Sequence, residues 1–156
     1  MTLKELRKIN NITQAEAASI VGMPLRTYIN YENDLKKANS LKYKMIFNIL
    51  NEKFSIDENK GILKKEDIIN KISEVFNKYK VNYCYLFGSY AKNNAIESSD
   101  VDLLIDTEET GLTFYGLIEE LRETLHKRID LLDIRQLKDN YELVKEILKD
   151  GIKIYG

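Results

Sequence analysis

The chain has 156 residues, 44% of them hydrophobic, and a formal net charge of −1. That is room for one domain of ordinary size or two small ones, each with a real core, and a near-neutral balance names no partner. One cysteine, Cys84, rules out an internal disulfide, and one histidine, His126, argues against a zinc cluster or a serine–histidine triad.

The charge is unevenly placed. Residues 1–55 carry nine Lys/Arg and five Asp/Glu, a net of +4, and residues 56–156 carry fifteen and twenty, a net of −5. A basic unit joined to an acidic one predicts a different partner for each. Nothing at the N-terminus reads as an apolar signal segment and no run reaches membrane-spanning length. We therefore expect a cytoplasmic protein with no membrane partner. A reducing compartment also fits Cys84, which lies in an apolar run and reads as a small core residue.

In chain order, Leu3, Leu6 and Ile9 space as one helix face, stopped by Asn10-Asn11. Thr13 followed by Glu16 reads as a capping box for a helix from Gln14 to Val21. Gly22-Met23 makes a turn, and Pro24 is expected at the first position of a third helix running to about Glu32. Asn39-Ser40 starts a fourth, with Leu41, Met45, Ile46, Ile49 and Leu50 as its apolar stripe. The polar stretch from Asn51 to Lys60, closed by Gly61, reads as a linker. This divides the chain into a domain at 1–53 and a domain at 62–156.

The second domain opens with a helix from Ile62 to Tyr79, with Ile62, Ile69, Ile72, Val75 and Phe76 inward. Val81 to Phe87 is a buried strand that ends at Gly88-Ser89, and a short helix beginning near Tyr90 frays at Asn93-Asn94. Val101 to Ile105 is a second strand. A helix from Leu112 to His126 carries Leu117, Leu121 and Leu125 inward. Arg128 to Leu132 is a third strand, Tyr141 to Leu148 a closing helix, and Ile152 to Tyr155 a short edge strand.

Chemistry concentrates where the first two strands meet their turns. Residues i and i+2 of a strand share a face, so Asp100 and Asp102 project side by side. Two carboxylates ~4 Å apart repel by about 4 kcal/mol at an effective dielectric of 20. That pairing suits a hard divalent cation held through oxygen, such as Mg²⁺ bridging to phosphates. Gly88 lets backbone approach a phosphate, and Ser89 adds a hydroxyl. The bland alternative is an ordinary Gly-Ser turn with aspartates capping a strand.

The spacing G-S-x10-D-x-D, with G-S-Y-A at 88–91 and S-D-V-D-L-L-I at 99–105, resembles the DNA polymerase β-like nucleotidyltransferases, in particular the minimal nucleotidyltransferases. The resemblance implies an α+β nucleotidyltransferase domain, a mixed sheet flanked by helices. It implies catalytic roles for Ser89, Asp100, Asp102 and Asp130, with the three aspartates holding one or two Mg²⁺ ions. ATP would meet Gly88, Ser89 and Lys92. Asp130, in Arg-Ile-Asp-Leu-Leu-Asp, matches a strand acid that helps deprotonate the attacking hydroxyl. Asp133 is its rival, three residues on, and alternatively caps the next helix. Relatives often read G-S-Y-A-R-G where this chain has Lys92-Asn93. Lysine keeps the charge and loses the bidentate fork.

The string from Leu3 to about residue 50 resembles the Cro/repressor-like helix-turn-helix family, a small all-α domain preceding the catalytic one. By that resemblance Tyr28 and Tyr31 are core, Gln14 meets a phosphate, and Arg26, Thr27 and Asn30 face the major groove of an operator. Leu25 and Ile29 are apolar where polar groove-facing side chains are usual. They either touch thymine methyls or mark a protein-contact face. Fusions of this kind resemble antitoxins encoded beside HEPN-type RNase toxins. This implies transfer of AMP from Mg-ATP to toxin tyrosines, with autoregulation through DNA and a homodimer on a two-fold site. The alternatives are a transcriptional regulator with a non-catalytic nucleotidyltransferase fold, or an enzyme acting on a small molecule such as an aminoglycoside.

Overall fold

Local signals set the N-terminal helices. In the computed structural model, which describes residues 1–156, Thr2 and Thr13 each close a complete capping box, with Glu5 and Glu16. They start α1 (Leu3–Ile9) and α2 (Gln14–Val21). Gly22, left-handed at φ 75°, ends α2. Pro24 is the N-cap of α3 (Leu25–Asn33) and not its first residue. Ser40 caps α4 (Leu41–Phe54) by accepting the Tyr43 N–H at 3.2 Å. The last turn of α4 thus takes in residues 51–54, read from sequence as linker, because Phe54 continues the line of Phe47 and Leu50 against the core.

Residues 1–55 form one compact unit and residues 56–156 another. The core of the first is Leu3, Leu6, Ala17, Tyr28, Ile46 and Leu50, with Ala18 and Tyr43. Tyr28 is fully buried, whereas Tyr31 packs at the edge under Lys37 and Lys42. Ile9 is exposed, and so are Leu41, Met45 and Ile49 of the expected α4 stripe. The helix turns Tyr43, Ile46 and Leu50 inward instead, at the i, i+3, i+7 spacing of a narrow contact line. A buried carboxylate ties α1, α2 and α3 together. Glu32 accepts from Arg7 Nε at 2.8 Å, Arg7 Nη2 at 3.0 Å and Gln14 Nε2 at 3.0 Å. Burial opposes its ionisation, but these bonds hold its carboxyl below the usual range. Removing one partner of such a pair costs ~3–5 kcal/mol.

The second unit is a four-stranded mixed sheet with helices on both faces. After Leu63, which is buried, α5 (Lys65–Phe76) packs Ile68, Ile72, Val75 and Phe76 inward. Ile62 precedes the helix and is half-exposed, and Ile68 is fully buried where Ile69, only partly buried, was expected inward. The strands are β1 (Val81–Phe87), β2 (Val101–Thr107), β3 (Ile129–Asp133) and β4 (Ile152–Tyr155), in the spatial order β3-β2-β1-β4. β1 runs antiparallel to β2 and β4, and β2 runs parallel to β3. The parallel pair requires a long crossover, which α7 (Gly111–Leu125) supplies. Between β1 and β2 lies α6 (Gly88–Ala91), a single turn that starts at Gly88 itself and not near Tyr90.

Alternation along the strands divides the two faces. Cys84 and Leu86 of β1, and Val101, Leu103 and Ile105 of β2, join Leu117, Leu121 and Leu125 of α7 in the main core. Cys84 is buried there, and burial pushes its thiol above the ordinary range. The opposite face carries Phe87 and Leu104 against Ile147 of α8 (Tyr141–Asp150). Asp102 belongs to this second face. No helix of the chain is long and apolar enough to cross a membrane.

Candidate active site

The candidate site lies where β1 ends and β2 and β3 begin. Phe87 pairs with Asp102, and Asp102 pairs with Asp130 across the parallel ladder. The sheet thus sets Gly88 beside one aspartate and the second aspartate on the neighbouring strand. Gly88 has φ 67°, a conformation open to glycine. A Cβ built on it would overlap Asp102 Oδ2 and stand 2.9 Å from Asp102 Cγ. The glycine is therefore required twice, for its backbone angle and for the carboxylate lying against it.

α6 is anchored from below. Tyr90 and Ala91 are buried, the Leu63 N–H donates to Tyr90 Oη at 3.5 Å, and Lys65 Nζ donates to the Ala91 carbonyl at 2.9 Å. Ser89 stays partly exposed at the start of this turn. Asn94 donates its N–H to the Ser89 carbonyl at 3.1 Å, so the chain folds back directly after the turn, and Asn93 takes a left-handed φ of 59°.

Asp102 is half-buried, and its carboxyl is pushed up to about 6. Burial contributes most, followed by the negative charges of Asp130, Asp100 and Glu146. Neither Asp102 nor Asp130 has a salt-bridge partner. Like charges crowded without a directly paired cation are what a divalent cation relieves, so this pair fits the oxygen donors of such an ion. The third carboxylate, Asp100, is turned to Arg128, whose Nε donates to its Oδ1 at 2.9 Å. As arranged here, the three acids do not form a closed metal cluster.

Asp133 faces the other way. It is buried, accepts from Arg135 Nε at 2.8 Å and from Nη2 at 2.6 Å, and caps the 3-10 turn Ile134–Leu137. Its carboxyl is held below the usual range, first by the Arg135 hydrogen bond. This is the capping arrangement weighed as its alternative, and it leaves Asp130 as the β3 acid beside Asp102.

One engaged partner escapes a reading of the sequence. Lys92 donates to Glu146 of α8 at 2.6 Å, and that bond raises the lysine's proton affinity. Residues 92 and 146 are 54 apart, and no local pattern links them. Arg128 was legible in principle, since it stands two residues before Asp130 and so shares its face.

In the first unit, Arg26 and Asn30 are both exposed on α3, four residues apart and thus on one face. Thr27 lines an apolar groove with Met23, Leu41 and Met45. The Gln14 amide nitrogen points to Glu32.

A family model described as Polymerase beta, Nucleotidyltransferase matches residues 70–156, and one described as Helix-turn-helix matches residues 3–55. A Methanocaldococcus jannaschii protein provisionally named a protein adenylyltransferase is 37% identical over 102 residues, which are 64% of this chain and 98% of that one. Protein adenylyltransferase MntA of Thermococcus cleftensis is 35% identical over 83 residues, 52% of this chain and 82% of its own. A chain from the crystal structure of a toxin–antitoxin with AMP-PNP aligns at 25% identity and a TM-score of 0.49, over 56% of this chain and 73% of that one.

Proposed function

The chain belongs to the polymerase β-type nucleotidyltransferases, with a helix-turn-helix unit ahead of the catalytic fold, and from this premise we propose that it is an antitoxin that transfers AMP from Mg-ATP to a tyrosine of a HEPN-type RNase toxin. The observation that carries the reading is the crowded Asp102–Asp130 pair with Gly88 packed against it, at the mouth of a Gly-Ser turn. The names of the relatives support AMP as the transferred group and protein as the acceptor. The resemblance of G-S-Y-A and S-D-V-D-L-L-I to HEPN-paired antitoxins supports the toxin.

In this reading Asp100, Asp102 and Asp130 would hold one or two Mg²⁺ ions, which would neutralise charge on the transferring and leaving phosphates. Ser89 and the backbone N–H groups beside Gly88 grip the triphosphate. Lys92 leaves Glu146 to meet a phosphate oxygen. Asp130 takes the proton of the tyrosine hydroxyl as its oxygen bonds the α-phosphorus, and the bond to pyrophosphate breaks.

Intact mass spectrometry tests this. The toxin gene product, incubated with this protein and Mg-ATP, is expected to gain whole AMP increments. A toxin that is silenced but unmodified removes the chemistry and leaves a binding-only antitoxin. A toxin that stays active and unmodified removes the pairing.

The helix-turn-helix unit is proposed to bind operator DNA as a homodimer, with Arg26 and Asn30 of α3 at base edges and Gln14 and Thr27 at the margins. Arg and Asn suit bidentate contacts to guanine and adenine. Arg26→Ala is expected to relax preference at one base position by about 1–3 kcal/mol. Binding should weaken steeply with salt, because the release of phosphate counter-ions gains less as bulk salt rises. Gel shifts on the gene's upstream region check both, and no shift at low salt makes the unit a protein-contact bundle.

A further inference from the structure

Charged residues meet in two pairs where β2 and β3 begin. In one, Asp102 stands opposite Asp130, acid against acid. In the other, two residues earlier and just before each strand starts, Asp100 meets Arg128, acid against cation. Arg128 makes two separate contacts. Its Nε donates to Asp100 Oδ1 at 2.9 Å and its Nη2 donates to the Ser98 carbonyl at 3.2 Å. The Arg128 carbonyl also accepts the Val101 N–H at 2.9 Å. One residue therefore holds the backbone before Asp100, the backbone after it and one oxygen of its carboxylate.

Asp100 needs such support. It sits at the end of a surface loop with its side chain 48% exposed, where an unsupported carboxylate samples several rotamers. The neighbouring residue helps from beneath. Lys127 is fully buried, and its Nζ donates to the carbonyls of Lys60, at 3.1 Å, and of Glu97 in that loop. The Arg128 bond engages Oδ1 through Nε and leaves Oδ2 without a hydrogen bond.

We propose that Arg128 is a positioning residue that fixes the Asp100 carboxylate, one oxygen held and the other presented, for a divalent cation shared with Asp102 and Asp130. This rests on the reading of these acids as a metal site. Arg128 is not placed on substrate. It acts through Asp100, as an outer partner that orients a ligand.

Mn²⁺ titration of the full chain, read by electron paramagnetic resonance without nucleotide, tests the proposal. Arg128→Ala is expected to bind Mn²⁺ at least about tenfold more weakly, the lower range for lost outer-shell partners. Arg128→Lys should fall between, since it keeps the cation and loses the two-pronged fork. In an Asp100→Ala background, adding Arg128→Ala should change Mn²⁺ affinity no further, because the effect travels through Asp100. A folded Arg128→Ala protein with unchanged or tighter Mn²⁺ binding overturns the proposal, and so does a full additional loss in the Asp100→Ala background. If Arg128→Ala does not fold, the lysine variant carries the same comparison. Wild-type protein that binds no Mn²⁺ overturns the metal reading beneath it, a result distinct from failure of the arginine's role alone.

Discussion

Asp102→Asn is expected to lower AMP transfer by at least about a thousandfold, on the order of 4 kcal/mol in the barrier, while the protein stays folded. The amide keeps the shape of the side chain and removes a charge from the donor pair. Its effect on stability should run the other way. The Asp102 carboxyl sits at about 6 against an ordinary 3.8, raised first by burial and then by Asp130 and Asp100. Between those two values the folded state holds a proton that the unfolded chain has lost. This contribution to stability therefore falls as pH rises from about 4 to about 6 and stays lower above that. In metal-free protein at pH 7 the asparagine variant should melt no lower than wild type, and it should lose this part of the pH slope. Transfer of label from α-³²P-ATP by the folded variant at the wild-type rate would remove Asp102 from the site. A melting point well below wild type would show that its role is structural.

What could be read in advance followed from periodicity. Strand alternation placed Asp102 off the main core, and the leucines at 117, 121 and 125 faced inward as their spacing demanded. The capping box at Thr13 likewise formed as its residue types require. The misplacements arose where a local pattern met a tertiary limit. Five apolar residues on α4 predicted a broad buried stripe, but the small bundle covers one narrow line, leaving Leu41, Met45 and Ile49 outside. Residues 51–54 looked like linker by composition, and Phe54 drew them into the helix through contacts that no local window contains. At the site the acids were legible, but the acid that engages Lys92 was not. Whether Lys92 is free to meet phosphate depends on Glu146, which only the packing of α8 brings near. The state of Asp100 depends on a strand whose register with β2 is a property of the sheet.

Gly88→Ala should produce a loss of transfer as large as that of Asp102→Asn, through a different cause. Alanine at φ 67° carries a left-handed backbone penalty of about 1–2 kcal/mol. The new methyl would also occupy the space of the Asp102 carboxylate, whose Cγ would lie 2.9 Å from it. A backbone obstacle there would threaten the fold. The obstacle is instead the far end of a half-buried side chain, which can swing away, so the fold should survive with only the modest backbone cost. The atom that swings is the one proposed to hold the cation. Gly88→Ala should therefore melt slightly below wild type, bind Mn²⁺ weakly and transfer almost no AMP. The paired measurement separates two roles for the glycine. If it serves only to let a phosphate approach the backbone, metal affinity stays at the wild-type value while nucleotide affinity falls. If it serves to seat Asp102, metal affinity falls even with no nucleotide present, and combining Gly88→Ala with Asp102→Asn should cost little beyond either change alone. The close fit of that carboxylate against the glycine favours the second outcome.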